Sequence, residues 1–472
     1  MGRLQGRLVM TGVLGVTVLA GALGPALPAS TIAVTQAGVT PPARPNVLVV
    51  LTDDQRADSM AMMPKTRRWL QDGGTRFSEA YATIPICAPM RSSVMSGRYQ
   101  HNHGVVTNLD APERLDQSAT IQKYLHDGGY QTGLDGKFLI GWPIATPPPN
   151  FDHFAHFLGG YENVRWNVDG KVLSTHQYVT DFQSDRAIDF LRRFEQDPAR
   201  PWYLYLTPEA PHLPSTPAPR YSHAPVPPWQ PTPPVTQTDR SDKPDFIRRQ
   251  SYSRDQAEKT RSQQLRTLLS VDDMMDRVLG HLQQSGQLDN TVVIYAGDSG
   301  WLYSEYGLHS KSVPYTPSIH VPFYLRWPGH VAAGATDRRP IELVDIASTV
   351  LDAAGVRPQL KYPMDGRSVL GHDVRRENLL EYHYSPDFTS TPSWASIRSP
   401  TYQYIEWYHD EAGSSLWVRE YYDLVHDPWE LDNLLGDRDP GNDPPASLLA
   451  DLSARLAHDR TCQGTSGASS CP

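Results

Sequence analysis

Runs of consecutive apolar residues recur along this chain, and several lead directly into a short polar cluster. Asn46 to Leu51 is one, Trp202 to Leu206 a second, Val292 to Ala296 a third and Val321 to Arg326 a fourth. A strand without polar alternation suits a sheet covered on both faces. Tyr130 to Leu134 reads as a shorter strand leading into Gly136-Lys137. Between these runs the period changes. Ala187, Ile188, Phe190, Leu191 and Phe194 share one face of a helix predicted over Asp185 to Phe194. Leu265, Leu268, Leu269, Met275, Val278, Leu279 and Leu282 form the stripe of a long helix stopped by Gly286. Shorter helices are expected over Arg67 to Leu70, before Gly73-Gly74, and over Ile121 to Leu125, before Gly128-Gly129.

Strands alternating with helices predict an α/β fold with a large, mainly parallel sheet flanked by helices. The stretch from Pro208 to Pro244 is too rich in proline for regular structure and is expected to wall a substrate cleft. After about Gly371 the texture shifts to short aromatic runs, Tyr402 to Trp407 and Leu416 to Tyr422, with a closing helix at Leu448 to Ala457. That pattern predicts a small C-terminal antiparallel-sheet subdomain. The domain reading is therefore a main domain over 45–371 and a subdomain with tail over 372–472. There are no internal repeats.

The first 30 residues read as an export signal: Arg3 and Arg7, an apolar run from Leu8 to about Ala22, then small residues around Ala26 to Ser30. An uncleaved anchor is the alternative. Residues 31–44 are Pro/Ala/Thr-rich and read as a linker. No later segment is long and apolar enough to cross a bilayer, so a secreted or extracytoplasmic protein is expected. The 472 residues carry a formal charge of -9, which argues against a nucleic-acid partner. An acidic chain that binds an anion must do so in a local cationic pocket. Of the three cysteines, Cys462 and Cys471 bracket a Gly/Ser-rich tail and could close a small loop, leaving Cys87 as the odd thiol.

Candidate chemistry gathers at the strand ends, where α/β sheets collect ligands. Asp53-Asp54, Lys137, His212 and Asp298 each follow one. Adjacent carboxylates repel, and a hard divalent cation such as Ca²⁺ or Mg²⁺ relieves the repulsion. A turn or helix cap explains an Asp-Asp pair equally well. Cys87 lies just ahead of Pro89 and Arg91, at the start of a predicted helix whose N–H groups favour an anion. Taken alone, such a cysteine also reads as a small buried hydrophobe.

Cys87-Ala88-Pro89-Met90-Arg91, followed by Ser96-Gly97-Arg98, resembles the signature of the type I sulfatases, which have an alkaline phosphatase-like fold. The resemblance implies that a formylglycine-generating enzyme oxidises Cys87 to formylglycine. It implies that Asp53, Asp54, Asp298 and the modified Cys87 hold one divalent cation, commonly calcium. Ser299 stands at the fourth ligand position, where the family usually has Asn or His. Arg91, Lys137 and Lys311 match the sulfate-binding cations, and His212 matches the histidine that protonates the leaving oxygen. In the implied mechanism the hydrated aldehyde attacks the sulfur of a sulfate ester with Asp298 as base. Its second hydroxyl then expels sulfate. Many members have a histidine where this chain has Leu139; His309, His103 or water are the alternatives for that second step.

Tyr99 to His103, Pro217 to Tyr221 and Leu268 to Asp273 further resemble the branch acting on N-acetylglucosamine 6-sulfate groups of glycosaminoglycans. That branch often has a histidine near the positions held here by Trp301 and Leu302. The implied activity is hydrolysis of sulfate esters on a small-molecule or glycan substrate. A phosphoester or phosphonate hydrolase of the same superfamily is the alternative enzyme. A degenerate protein that binds sulfated glycans without turnover is the alternative outside enzymes.

Overall fold

In the computed structural model, residues 44–373, 375–384, 391–410 and 413–472 are described. The expected export signal, and all of the expected linker except Arg44, lie outside these residues. The apolar runs become neighbouring strands. In chain order these are β1 (Asn46–Thr52), β2 (Thr75–Tyr81), β3 (Gln131–Lys137), β4 (His153–Phe157), β5 (Arg165–Val168), β6 (Lys171–Ser174), β7 (Trp202–Thr207) and β8 (Thr291–Gly297). The two-residue strands β9 (Leu302–Tyr303) and β10 (His309–Ser310) follow, then β11 (Phe323–Arg326) and β12 (Ala335–Glu342). One ten-stranded sheet runs β12-β2-β11-β8-β1-β7-β3-β4-β5-β6. Its centre, β8-β1-β7-β3-β4, is parallel throughout.

β1 shows why its sequence carries no alternation. Val47, Val49 and Leu51 pack on one face with Met90 and Val94 of the helix Cys87–Ser96. Leu48 and Val50 pack on the other, with Phe190 of the helix Val179–Phe194 and Leu268 and Met275 of the helix Arg254–Gln284. Both faces are covered, so every residue of the strand is buried. Each such side chain contributes roughly 1.5–3 kcal/mol. The centre of the sheet is therefore a stiff platform, and its strand ends hold their side chains in fixed relation.

The structure adds strands that the hydrophobic pattern does not predict. β2 mixes buried and exposed positions, and β12 carries Asp337, Arg338, Arg339 and Pro340 within its span. β11 is antiparallel to both β2 and β8. The helix expected from Asp185 begins at Val179. Between Pro208 and Pro244 only short helical turns form, at Pro219–Tyr221 and Pro233–Thr236. There, Arg240 donates to the carbonyl of Gln250, 3.1 Å away, and to that of Tyr306.

A second sheet, β13 (Asn378–Tyr382), β14 (Trp394–Arg398), β15 (Tyr402–Tyr408) and β16 (Leu416–Asp423), is antiparallel throughout. Leu452 and Leu456 of the helix Ala446–Asp459 pack on its Leu379, Ile397 and Tyr404. A disulfide joins Cys462 to Cys471. Among the described residues no helix is long and apolar enough to cross a membrane.

Candidate active site

β1 ends in Asp53 and Asp54. Asp54 takes φ +63°, a left-handed conformation that Asp tolerates better than most residues. β8, the parallel neighbour, ends in Gly297 and delivers Asp298 and Ser299 alongside. The Asp298 N–H donates to the Thr52 carbonyl at 2.9 Å, and the Asp54 N–H to Asp298 Oδ1 at 3.1 Å. Strand register thus brings the carboxylates together. Oxygens of Asp53, Asp54 and Asp298 lie within 4.8 Å of one another, all buried.

The helix Cys87–Ser96 approaches from the same end. Ile86, in extended conformation, starts it, and Gly97 at φ +68° ends it. A side chain at Gly97 would also press within 2.9 Å of Ala347. The helix aims Cys87 and Arg91 at the carboxylates. Cys87 is present as the thiol, so its Sγ marks the place of any oxygen substituent after oxidation. Sγ–H donates to Asp53 Oδ1 at 3.2 Å, and Lys311 Nζ lies 2.9 Å from the sulfur. Arg91 spans the acids, with NH2 3.1 Å from Asp53 Oδ2 and Nε 3.1 Å from Asp298 Oδ2. Its NH1 donates to the Lys137 carbonyl at 3.1 Å. Lys137, the last residue of β3, pairs with Asp53, and Lys311 pairs with Asp54.

His212 follows β7 and is tied to the centre by the bridge between Asp53 and Pro211. Its Nδ1 lies 2.7 Å from the Leu213 carbonyl and so carries the proton. Nε2 then faces Asp54 Oδ2, 3.8 Å away. Burial opposes a charged ring here, but Asp53 and Asp54 win and push its pKa up to about 11. Asp53 shows the converse. Burial favours its neutral form, yet Lys137, His212, Arg91 and Lys311 hold it well below the usual carboxylate range. Asp298, with burial and then Asp53 working against its charge, is pushed up.

Asp53, Asp54, Cys87, Arg91, Lys137, His212, Asp298, Ser299 and Lys311 therefore fall in one cluster. Ser299 Oγ donates to Asp54 Oδ1 at 2.9 Å. Asp54 Oδ2 is buried without a hydrogen bond, among carboxylates in mutual contact. An acceptor left in that state calls for a hard cation, so the residues fit the divalent ion that the resemblance implies. His103 lies elsewhere, held between Ser93 and the Val105 N–H, and His309 stacks on Tyr252. Leu139 is a core residue.

Some groups of the centre escaped the sequence. Asn108 Oδ1 accepts the Ala88 N–H at 3.0 Å and so satisfies the start of the Cys87 helix. Glu209 is buried beside Lys137 and His212. Its one signal is a carboxylate three residues before His212, in a stretch that reads as loop.

Comparison with known proteins agrees with this geometry. Residues 45–356 match the family model described as Sulfatase, and residues 304–460 match N-sulphoglucosamine sulphohydrolase, C-terminal. The extracellular sulfatase SULF-1 homolog of Drosophila melanogaster is 36% identical over 367 residues, covering 73% of this chain and 33% of that protein. The chain spans 33% and 48% of the length of the first two curated relatives it matches. The N-acetylglucosamine-6-O-sulfatase of Bacteroides thetaiotaomicron is 26% identical over 476 residues, covering 83% of each chain. A protein solved in complex with its substrate D-glucosamine-2-N,6-O-disulfate shares the fold, with TM-score 0.77 and 23% identity over 88% of this chain and 97% of that one. The family match begins just before β1 and takes in every residue of the Cys87 centre, and on that ground the chain belongs to the sulfatase family.

Proposed function

We propose that this chain is a secreted sulfuric ester hydrolase acting on sulfate esters of sugars, in the manner of the N-acetylglucosamine-6-sulfatases it is similar to. The observation that carries this reading is the position of Cys87. Its Sγ sits between a lysine 2.9 Å away and an aspartate 3.2 Å away, inside a ring of buried cations and carboxylates. A buried thiol needs no such surroundings. An anionic ester meeting a nucleophile does.

Oxidation of Cys87 to formylglycine by the modifying enzyme would supply a hydrated aldehyde, whose hydroxyl is the nucleophile towards sulfur. Asp53, Asp54 and Asp298, with Ser299 and the modified Cys87, would hold one divalent cation, calcium, which lowers the pKa of an oxygen bound to it. Arg91, Lys137 and Lys311 neutralise the sulfuryl oxygens as charge shifts onto them. Asp298 takes up the proton of the attacking group. His212, its Nδ1 proton committed to the Leu213 carbonyl, offers Nε2–H to the departing alcohol.

Mass spectrometry of the Cys87 peptide, after co-expression with the modifying enzyme, tests the nucleophile. Turnover of N-acetylglucosamine 6-sulfate with and without calcium tests the activity. An aldehyde at position 87 and calcium-dependent release of sulfate are expected. An unmodified thiol with no turnover would leave the non-catalytic glycan binder. Faster turnover of phosphonate than of sulfate esters would leave the phosphoester hydrolase.

A further inference from the structure

Glu209 is the buried charge of the centre that the resemblance leaves without a role. It is 3% exposed and stands between Lys137 and His212. Oε2 lies 3.7 Å from Lys137 Nζ, and Oε1 lies 3.5 Å from His212 Nδ1. Oε2 makes no hydrogen bond. A carboxylate held this way is penalised by lost hydration unless opposite charge compensates. Burial favours the neutral acid, but Lys137 and His212 keep Glu209 below its ordinary pKa.

The backbone builds the arrangement. The His212 N–H donates to the Glu209 carbonyl at 2.9 Å, so the chain folds back and brings the carboxylate to the imidazole. The Tyr161 hydroxyl holds the His212 carbonyl at 2.5 Å. Gly159, at φ +132°, keeps the far side clear; a Cβ there would stand 3.3 Å from Oε1.

We propose that Glu209 is a positioning residue that locks the proton donor His212 and the sulfate-binding Lys137 into one unit. This rests on the functional reading above. Among the described residues, Lys137 has two carboxylates in ion-pair reach, Asp53 and Glu209. Asp53 also serves Arg91 and Cys87. A sulfate group entering the site draws Lys137 off Asp53, and a flexible four-carbon amine then needs a second anchor. Glu209 is that anchor. Through the same carboxylate it holds the charge of the ring whose Nδ1–H the Leu213 carbonyl accepts and whose Nε2 must meet the leaving oxygen.

The test is Glu209→Gln, which keeps size and one acceptor but removes the charge. It is assayed in the calcium-loaded, Cys87-oxidised enzyme on two substrates. N-acetylglucosamine 6-sulfate releases an alkoxide that needs a proton, whereas para-nitrophenyl sulfate releases a phenolate that does not. On the sugar sulfate, kcat should fall about 10- to 100-fold, against about threefold or less on the aryl sulfate. KM should rise alike on both, and Glu209→Asp should restore part of the loss. Equal kcat losses on both substrates, or no loss on either, overturn the proposal. If the wild type hydrolyses neither substrate, the functional reading fails on its own. The positioning claim is then read by ring-nitrogen NMR of the unmodified protein, with the His212 signals assigned through His212→Asn. Those signals should move in Glu209→Gln, and unmoved signals overturn the proposal.

Discussion

His103 links the helix that carries Cys87 to acid stability. Its ring is buried behind that helix. Nδ1 accepts the Val105 N–H at 3.1 Å, so the ring's proton is on Nε2, which donates to Ser93 Oγ at 2.9 Å. Both nitrogens are used in the neutral form. A second proton would have to displace a backbone donor, in a site shared with the positive charges of Arg98 and His101. Burial first, and then those two charges, drop its pKa from 6.5 to about 3. The depressed value means that the neutral ring's contribution is complete above about pH 6.5 and is lost as pH falls towards 3. Over that window the unfolded chain binds a proton that the folded chain refuses. Each pH unit below 6.5 therefore costs about 1.4 kcal/mol, or roughly 2 kcal/mol by about pH 5.

The perturbation is His103→Gln, which cannot titrate, and the assay is urea unfolding of wild type and variant at about pH 7 and about pH 5. The variant loses packing and is less stable at pH 7. Its deficit should shrink by roughly 2 kcal/mol at pH 5, because the wild type alone carries the proton linkage. A deficit that stays constant between the two pH values would refute the argument. It would mean that His103 is protonated in the fold, or that Val105 does not hold Nδ1.

Arg91→Met should cost about 3–5 kcal/mol, because it strands Asp53 and Asp298 without the cation that spans them, and it should abolish turnover. Chemical denaturation and a sulfate-release assay check both. Ser299→Asn places an amide oxygen where the hydroxyl now bonds Asp54, and should tighten calcium binding several-fold by titration calorimetry. Replacing both Cys462 and Cys471 with Ser frees a loop of sequence separation 9 and should cost about 2–3 kcal/mol, read as a lower denaturation midpoint. The tail also holds the short helix Gln100–His103, since His101 and Asn102 both bond the Cys462 carbonyl, at 3.0 and 2.8 Å.

The central strands were legible because burial on both faces writes itself into sequence. β1 and β8 have no polar alternation to hide them, and their polar ends announce Asp53-Asp54 and Asp298. The start of the Cys87 helix was legible from Pro89, which needs little beyond local backbone geometry. β2 and β12 were not. Their partly exposed positions and the charges and Pro340 of β12 read as loop, and only pairing makes them strands, β12 with β2 and β2 with β11 as well. The antiparallel direction of β11 is likewise a property of its neighbours.

For the site, the sequence by itself determined which side chains were available and that several stood at strand ends. It determined the oxidisable Cys87 and the cations able to meet an anion. Tertiary structure alone decided that Arg91, beside Asp53, reaches Asp298 across 207 residues of chain and that Lys311 reaches Cys87 across 224. It also decided that His103 turns away and that Glu209 joins Lys137 to His212. The physical reason is range. Helix ends, turns and two-sided burial are set by neighbours a few residues away. Charge pairing in a buried centre depends on distances of 3–4 Å that only the completed sheet fixes.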